Sequence, residues 1–150
     1  GMSHEKNRDR LIVALDVDSV AAAQKLVAQL GETVSFYKIG MELAYGGGLD
    51  LARDLKGAGK RVFIDLKLHD IGATVERATR QIARMGMDFL TIHAFPQTMA
   101  AARIGAGDRL RLLAVTVIKT ALNIGILALL REPWPHAPAM PSGPAAPDSR

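Results

Sequence analysis

The sequence predicts an α/β fold with a parallel sheet, and two observations carry this prediction. Short apolar runs, typical of buried strands, alternate along the chain with segments of helical periodicity, and glycines punctuate the alternation. Strands that alternate with helices of about ten to fifteen residues indicate a barrel or a doubly wound sheet. The 150 residues, 49% of them apolar, suffice for one ordinary domain with a hydrophobic core.

The first two β-α units are delimited by cap and turn residues. The apolar run "LIVAL" at 11–15 predicts the first strand. Ser19 is placed to cap the helix that follows, and Gly31 is placed to end it. The second unit consists of a strand over 34–40, a loop at glycines 46–48 and a helix over 49–58.

Three further strands follow the same alternation. "RVFIDLKL" at 61–68 predicts the third strand, and a helix is expected over 71–85, before Gly86. "FLTIHA" and "LRLLAVTV" predict strands four and five, with a helix around 98–104 between them. No Gly-x-Gly-x-x-Gly follows the first strand, so the sequence gives no support to a dinucleotide site.

The two ends of the chain differ in character from the middle. Gly1 before Met2 is interpreted as a cleavage scar, and residues 1–10 as a lead-in. A helix is expected over 120–131, whereas six of the seven prolines lie in the last 19 residues. We therefore expect one domain over 11–131 and a disordered tail over 132–150.

Composition excludes several classes of function. The chain has no cysteine, so disulfides, thiolate nucleophiles and cysteine metal sites are excluded. The net charge of +4 is mild, and basic residues form no stripe interleaved with aromatics, which argues against nucleic acid as a partner. No apolar run has membrane-spanning length and no signal peptide is recognisable, so a cytoplasmic location without membrane association is expected.

The stretch "VFIDLKLHDIGATV" at 62–75 places charges in an otherwise apolar strand. Residues two apart share a face of a strand, so Asp65 and Lys67 point away from the apolar face formed by Val62, Ile64, Leu66 and Leu68. Asp70 follows at the turn into the next helix. Carboxylates beside a lysine favour its protonated form, which makes Lys67 a positioned proton donor. A purely structural ion network remains the alternative interpretation.

Five segments together resemble orotidine 5'-phosphate decarboxylase in sequence and in order. They are "ALDVD", "YKIGMEL", "FIDLKLHDIGATV", "TIHA" and "LLAVTV", and the match runs from about residue 11 to 117. The resemblance implies a TIM-type (β/α)8 barrel, of which this chain holds about the first half, an incomplete barrel of about five β-strands with helices. Lys38, Asp65, Lys67 and Asp70 match the family's alternating Lys-Asp-Lys-Asp catalytic array.

The resemblance also implies substrate contacts and an assembly. Asp16, together with Lys38, matches the binding site of the ribose hydroxyls, and His93 matches the histidine that ends strand four. The alternatives for these two positions are a helix-capping acid at Asp16 and a packed histidine, hydrogen-bonded to the backbone, at His93. Asp70 and Thr74 would reach the site of a partner subunit, so a homodimer is implied. Thr120 stands where the family has a serine that contacts the pyrimidine.

The implied reaction is the last step of de novo UMP biosynthesis, decarboxylation of orotidine 5'-monophosphate to uridine 5'-monophosphate. The family uses no cofactor, and no metal is expected. Lys67 would stabilise the carbanion and protonate it, while Asp65 would crowd the substrate carboxylate.

Alternatives of other kinds stay open. The 3-keto-gulonate 6-phosphate decarboxylase and hexulose-phosphate synthase group shares the strand-three motif but carries magnesium, with an acidic residue where this chain has Lys38. After Ile118 the chain departs from the family, and the usual Gly- and Arg-bearing phosphate loop has no counterpart. A truncated or frameshifted, inactive half-barrel is therefore the other expectation, including a noncatalytic form that binds a partner through exposed strands.

Overall fold

Five parallel strands form one sheet in the computed structural model, which describes residues 10–116. In spatial order, which is also chain order, they are β1 (Val13–Ala14), β2 (Phe36–Gly40), β3 (Arg61–Leu68), β4 (Phe89–His93) and β5 (Arg111–Val115). Neighbours pair in parallel throughout. The predicted α/β fold with about five strands is confirmed, and β1 and β5 are the edges of the described sheet.

Helices connect the strands. They are α1 (Val20–Leu30), α2 (Met41–Leu43), α3 (Leu49–Gly57), α4 (Gly72–Arg84) and α5 (Pro96–Ala106). The Ser19 hydroxyl accepts a hydrogen bond from the amide of Ala22, and Gly31 ends α1 with φ of 52°, so both predicted boundaries are confirmed. The helix expected over 120–131 and the tail over 132–150 lie outside the described residues.

The segment predicted as a loop at glycines 46–48 is a kink between helical segments, since Gly46 and Gly47 both have non-helical φ and ψ. The short stretch Ala44–Gly48 that contains this kink joins α2 to α3. Gly47 has φ of 100°, a left-handed conformation that favours glycine. Gly48 packs so closely on the carbonyl of Leu43 that a Cβ would clash there. The glycines therefore interrupt the helical conformation between α2 and α3, over a shorter stretch than a full loop would occupy.

The two faces of the sheet carry separate apolar clusters. Val62, Ile64 and Leu66 of β3 belong to the larger cluster, which includes the helices, and this confirms the predicted apolar face. On the opposite face, three phenylalanines from β2, β3 and β4 form a second cluster: Phe36, Phe63 and Phe89. These rings lie near the amino ends of their strands and fill that part of this face of the sheet. The polar groups on the same face therefore lie towards the carboxyl ends.

Asp88 joins several elements at the amino ends of the strands. Its Oδ2 accepts hydrogen bonds of 2.8 Å from both the Lys56 ammonium and the Val62 amide. Its own amide donates to the Val62 carbonyl, and its carbonyl accepts from the amide of Arg111. One carboxylate thus ties the end of α3 to the start of β3, while its backbone links β3, β4 and β5.

Helices α4 and α5 approach each other at Gly105. A Cβ on this residue would lie 2.9 Å from the Cβ of Thr79 and 3.0 Å from the amide nitrogen of Arg80, and would overlap the Glu76 carbonyl. These neighbours include backbone atoms, which cannot swing aside as a flexible side chain can. The close contact of the two helices therefore requires glycine at position 105.

We expect Gly105→Ala to lower the free energy of unfolding by about 1–3 kcal/mol, because the added methyl group forces the helices apart. Gly57→Ala is the matched control, since no atom lies within 4 Å of its Cβ position. It should leave stability unchanged or raise it by up to about 1 kcal/mol. Urea unfolding followed by circular dichroism measures both. Equal stabilities for the two variants would contradict the close contact at Gly105.

We also expect Asp88→Ala to cost about 2–3 kcal/mol, since it leaves the Val62 amide and the Lys56 ammonium without their acceptor. Asp50→Ala removes a carboxylate of an exposed ion pair with Arg53. That change should cost less than about 1 kcal/mol. Chemical unfolding of both variants tests the difference, and a loss at Asp50 as large as that at Asp88 would refute the linking role of Asp88.

Candidate active site

Two lysines and an aspartate from neighbouring strands meet towards the carboxyl ends of β2 and β3. The Lys38 Nζ lies 3.3 Å from Asp65 Oδ2. The Lys67 Nζ lies 3.0 Å from Asp65 Oδ1 and 3.1 Å from Oδ2. The structure thus brings together three of the four residues predicted for the charged array, with the Asp65 carboxylate between two ammonium groups.

An irregularity in β3 shapes this arrangement. Ile64 pairs with Leu90, but the next paired positions are Leu68 and Ile92, so β3 holds two more residues than β4 between these pairs. Lys67 within this bulge has φ of 48°, a left-handed conformation that costs energy for a residue with a side chain. Bulges redirect side chains. In this bulge, the Lys67 ammonium contacts both carboxylate oxygens of Asp65.

Thr91 of β4 is a site residue that the sequence analysis did not single out. Its hydroxyl donates a 2.7 Å hydrogen bond to Asp65 Oδ1 and accepts a 2.9 Å hydrogen bond from the amide of Lys67. A threonine in an apolar strand carries no distinguishing signal. The pairing that places it opposite the bulge depends on a register that cannot be read from the motif itself.

Burial and the neighbouring positive charges shift the pKa of Asp65 in opposite directions. Burial alone would raise the pKa of its carboxyl group, since only 6% of the residue is exposed. Hydrogen bonds from Thr91 and Lys67, together with the charges of Lys67 and Lys38, outweigh burial and hold the pKa of Asp65 below its ordinary value. Asp65 is therefore ionised at neutral pH.

The two lysines differ in access to solvent. The Lys38 side chain is 10% exposed, whereas that of Lys67 is 42% exposed. Lys38 is thus buried together with Asp65. Lys67 contacts the same carboxylate but is partly exposed to solvent at the end of β3.

Asp70 and Thr74 lie farther along the chain at the same end of the sheet. Asp70 is exposed, and its Oδ1 accepts a 2.7 Å hydrogen bond from the Ile71 amide. Within residues 10–116 no ion pair joins Asp70 to Lys67. Thr74 lies in the first turn of α4, where its amide donates to the Ile71 carbonyl. Among the described residues, neither Asp70 nor Thr74 is joined by a hydrogen bond or an ion pair to the cluster of Lys38, Asp65 and Lys67.

Asp16 and His93 also lie at the carboxyl ends of their strands. Asp16 is exposed just beyond β1, and its Oδ1 would lie 3.7 Å from a Cβ at Gly40, the last residue of β2. It therefore stands beside the strand that carries Lys38. The helix cap of α1 is supplied by Ser19, so Asp16 is not its capping residue.

His93 belongs to an aromatic group that its motif did not predict. Its ring lies 5.3 Å from that of His69 and 6.0 Å from that of Phe95, and its Nδ1 is buried with no hydrogen-bond partner in the described part of the chain. The Nδ1 of His69 lies 3.3 Å from the Thr98 hydroxyl. The ring of His93 is thus packed against other rings, and its Nδ1 forms no backbone hydrogen bond with the described residues.

Three further expectations concern what the site and the chain contain. Thr120 lies outside the described residues. Within residues 10–116, no group of three or more histidine, aspartate or glutamate side chains is arranged to hold a metal ion. No helix in this same range is long and apolar enough to cross a membrane.

Comparison with known proteins gives the same family from sequence and from structure. Residues 9–123 match the model of the Orotidine 5'-phosphate decarboxylase / HUMPS family. Orotidine 5'-phosphate decarboxylase of Bradyrhizobium sp. (strain ORS 278) is 66% identical over 111 residues, which cover 73% of this chain and 46% of that protein. The enzyme of Afipia carboxidovorans is 62% identical over 112 residues, covering 74% and 48% respectively.

Solved structures agree with this result. The crystal structure of orotidine 5'-phosphate decarboxylase from Lactobacillus acidophilus has a TM-score of 0.66 and 38% identity, covering 78% of this chain and 56% of that one. An uncharacterized conserved protein from Geobacillus kaustophilus has a TM-score of 0.64 and 35% identity, covering 85% and 62%. The chain spans about half the length of the curated relatives it matches. It belongs to the Orotidine 5'-phosphate decarboxylase / HUMPS family, as a partial domain of the barrel.

Proposed function

We propose that the cluster of Lys38, Asp65 and Lys67 serves the decarboxylation of orotidine 5'-monophosphate to uridine 5'-monophosphate. The observation that carries the proposal is the Lys67 ammonium, held 3.0 Å from an ionised, buried carboxylate yet open to the end of the sheet. The curated relatives named for this reaction support it. Lys38 supports it over the magnesium-dependent alternative, in which an acidic residue would stand at this position.

The mechanism follows from the charges. The bond between the carboxylate carbon and the pyrimidine ring breaks, CO2 leaves, and the electron pair stays on the ring carbon. Lys67 stabilises this negative charge and then transfers a proton to it, so the product carries hydrogen where the substrate carried its carboxylate. Asp65 repels the substrate carboxylate before the bond breaks. Lys38 holds Asp65 in place by its 3.3 Å ion pair. We propose that no cofactor takes part.

The other predicted residues receive binding roles in this proposal. Asp16 and Lys38 bind the ribose hydroxyls, and His93 and Thr120 contribute to the substrate pocket. Asp70 and Thr74 serve the site of a partner subunit in a homodimer. A cytoplasmic location stays a prediction.

Because the chain spans about half the length of its curated relatives, the binding of the substrate phosphate has to be considered separately. In barrels of this type the phosphate site is commonly built from loops after strands seven and eight. Binding energy from a remote phosphate normally assists the chemical step. The five described strands carry the charged cluster, so the proposal places the chemical step, rather than the binding of phosphate, in this part of the barrel.

We expect Lys67→Ala to lower turnover of orotidine 5'-monophosphate by at least about a thousandfold, because one change removes both the charge that stabilises the carbanion and the proton donor. The ultraviolet absorbance change follows the reaction in the presence of EDTA and without added metal. Lys25→Ala, which removes an exposed lysine of α1, is the control and should keep full activity.

The outcomes separate the alternatives. Near-normal turnover in Lys67→Ala would refute the proposed mechanism. Turnover by the wild-type chain that is abolished by EDTA would favour the magnesium-dependent relatives. A folded wild-type chain without turnover would favour the inactive half-barrel, since β1 and β5 remain open edges within the described sheet.

The role of Asp65 requires an ionised carboxylate, which predicts a pH dependence of stability. A folded pKa below the unfolded value, about 3.9 for aspartate, means that ionised Asp65 stabilises the fold above that pH. This contribution is lost as the pH falls through the lowered folded pKa. Asp65→Asn should therefore be less stable than wild type at pH 7, and the difference should shrink below about pH 4. Urea unfolding from pH 7 to pH 3 measures it, and a constant difference would contradict the lowered pKa.

A further inference from the structure

The bulge in β3 removes the regular strand partners of the residues that carry the charged cluster. Between the pairs Ile64 with Leu90 and Leu68 with Ile92, three residues of β3 face a single residue of β4, Thr91. A regular ladder would satisfy the Lys67 amide with a backbone carbonyl of β4. Here the amide donates instead to the Thr91 hydroxyl, at 2.9 Å.

The same hydroxyl also acts as a hydrogen-bond donor. It donates to Asp65 Oδ1 at 2.7 Å, and the residue is only 2% exposed, so water has little access to replace either bond. A hydroxyl has one proton to donate and lone pairs to accept, and both capacities are used here. Valine has the same shape and neither capacity, whereas serine keeps both. The site therefore depends on the hydroxyl itself rather than on the volume of the side chain.

We propose that Thr91 is a positioning residue that holds Asp65 and Lys67 in their reactive arrangement. This inference rests on the proposed function, since it deepens the description of the same site. Thr91 acts through the two residues that it bonds and is not assigned a contact with substrate. One bond orients the carboxylate of Asp65, and the other fixes the backbone of Lys67 in its left-handed conformation.

The loss of the hydroxyl has a specific consequence. Without the Thr91 proton, the ionised form of Asp65 loses one of its hydrogen bonds while its burial is unchanged. Without the acceptor, the Lys67 amide has no partner and the strained φ of 48° is no longer held, so its ammonium is displaced from Asp65. Both effects disfavour the ionised carboxylate.

The test is a ¹³C NMR titration of the Asp65 carboxyl group in the chain as it stands, with Asp65→Asn used to identify its resonance. Thr91→Val should raise the pKa of Asp65, and Thr91→Ser should leave it at the wild-type value. Thr79→Val is the matched control, because Thr79 is fully buried and its hydroxyl has no hydrogen-bond partner in the described residues. It should leave the titration unchanged. An unchanged titration in Thr91→Val would overturn the proposal.

A second measurement uses the wild-type chain alone, so it does not depend on the folding of a variant. The amide of Lys67 should exchange with solvent deuterium more slowly than the amides of exposed loop residues. Exchange at the rate of an unprotected amide would overturn the proposal. Neither measurement requires turnover, so each judges Thr91 even if the proposed decarboxylation fails.

Kinetics then separate positioning from binding. Where the wild-type chain turns over orotidine 5'-monophosphate, Thr91→Val should lower kcat about tenfold, as expected for the loss of one or two hydrogen bonds. The KM should change less than twofold, and Thr91→Ser should restore most of kcat. A rise in KM at constant kcat would instead assign Thr91 to substrate binding and overturn the positioning role.

Discussion

The buried Asp65 carboxylate between two ammonium groups is the interaction on which the site depends. A charge with 6% exposure is unfavourable unless it is paired and hydrogen-bonded, and Lys38, Lys67 and Thr91 supply those partners. Removing Thr91 leaves the Lys67 amide without its acceptor, and removing either lysine deprives the buried carboxylate of one of its two ammonium partners. The arrangement is therefore cooperative, and its members are best understood as one unit.

Contacts near the amino ends of the strands support this unit. Near the amino ends, Phe36 and Phe89 stack with ring centroids 5.7 Å apart, and the Arg61 guanidinium lies 4.5 Å from the centre of the Phe36 ring. Asp88 ties α3 to β3 beneath them. These contacts hold the strands in register, and the register in turn determines which side chains meet at the carboxyl ends.

Much of this could be predicted from sequence because it depends on local patterns. The period of two in β3 separates Val62 and Ile64 from Asp65, and the caps at Ser19 and Gly31 follow from backbone chemistry. Thr91 could not be predicted, because its role depends on a bulge and on pairing with a strand 24 residues away. The lack of an ion pair between Asp70 and Lys67 in the described part of the chain likewise depends on the turn after β3, whose direction no periodicity encodes.

The separation of the two ends of the sheet has a consequence for how the molecule can change. Because the aromatic and Asp88 contacts lie at one end and the charged cluster at the other, substitutions beyond the carboxyl ends of the strands need not weaken the contacts that hold the strands in register. Selection can therefore alter the residues after each strand to suit a new substrate while the fold keeps its stability. The strands β2, β3 and β4 link the two ends, since each contributes a phenylalanine to one end and a side chain of the cluster, or its hydrogen-bond partner, to the other. A substitution that shifts one of these strands would therefore disturb both ends at once.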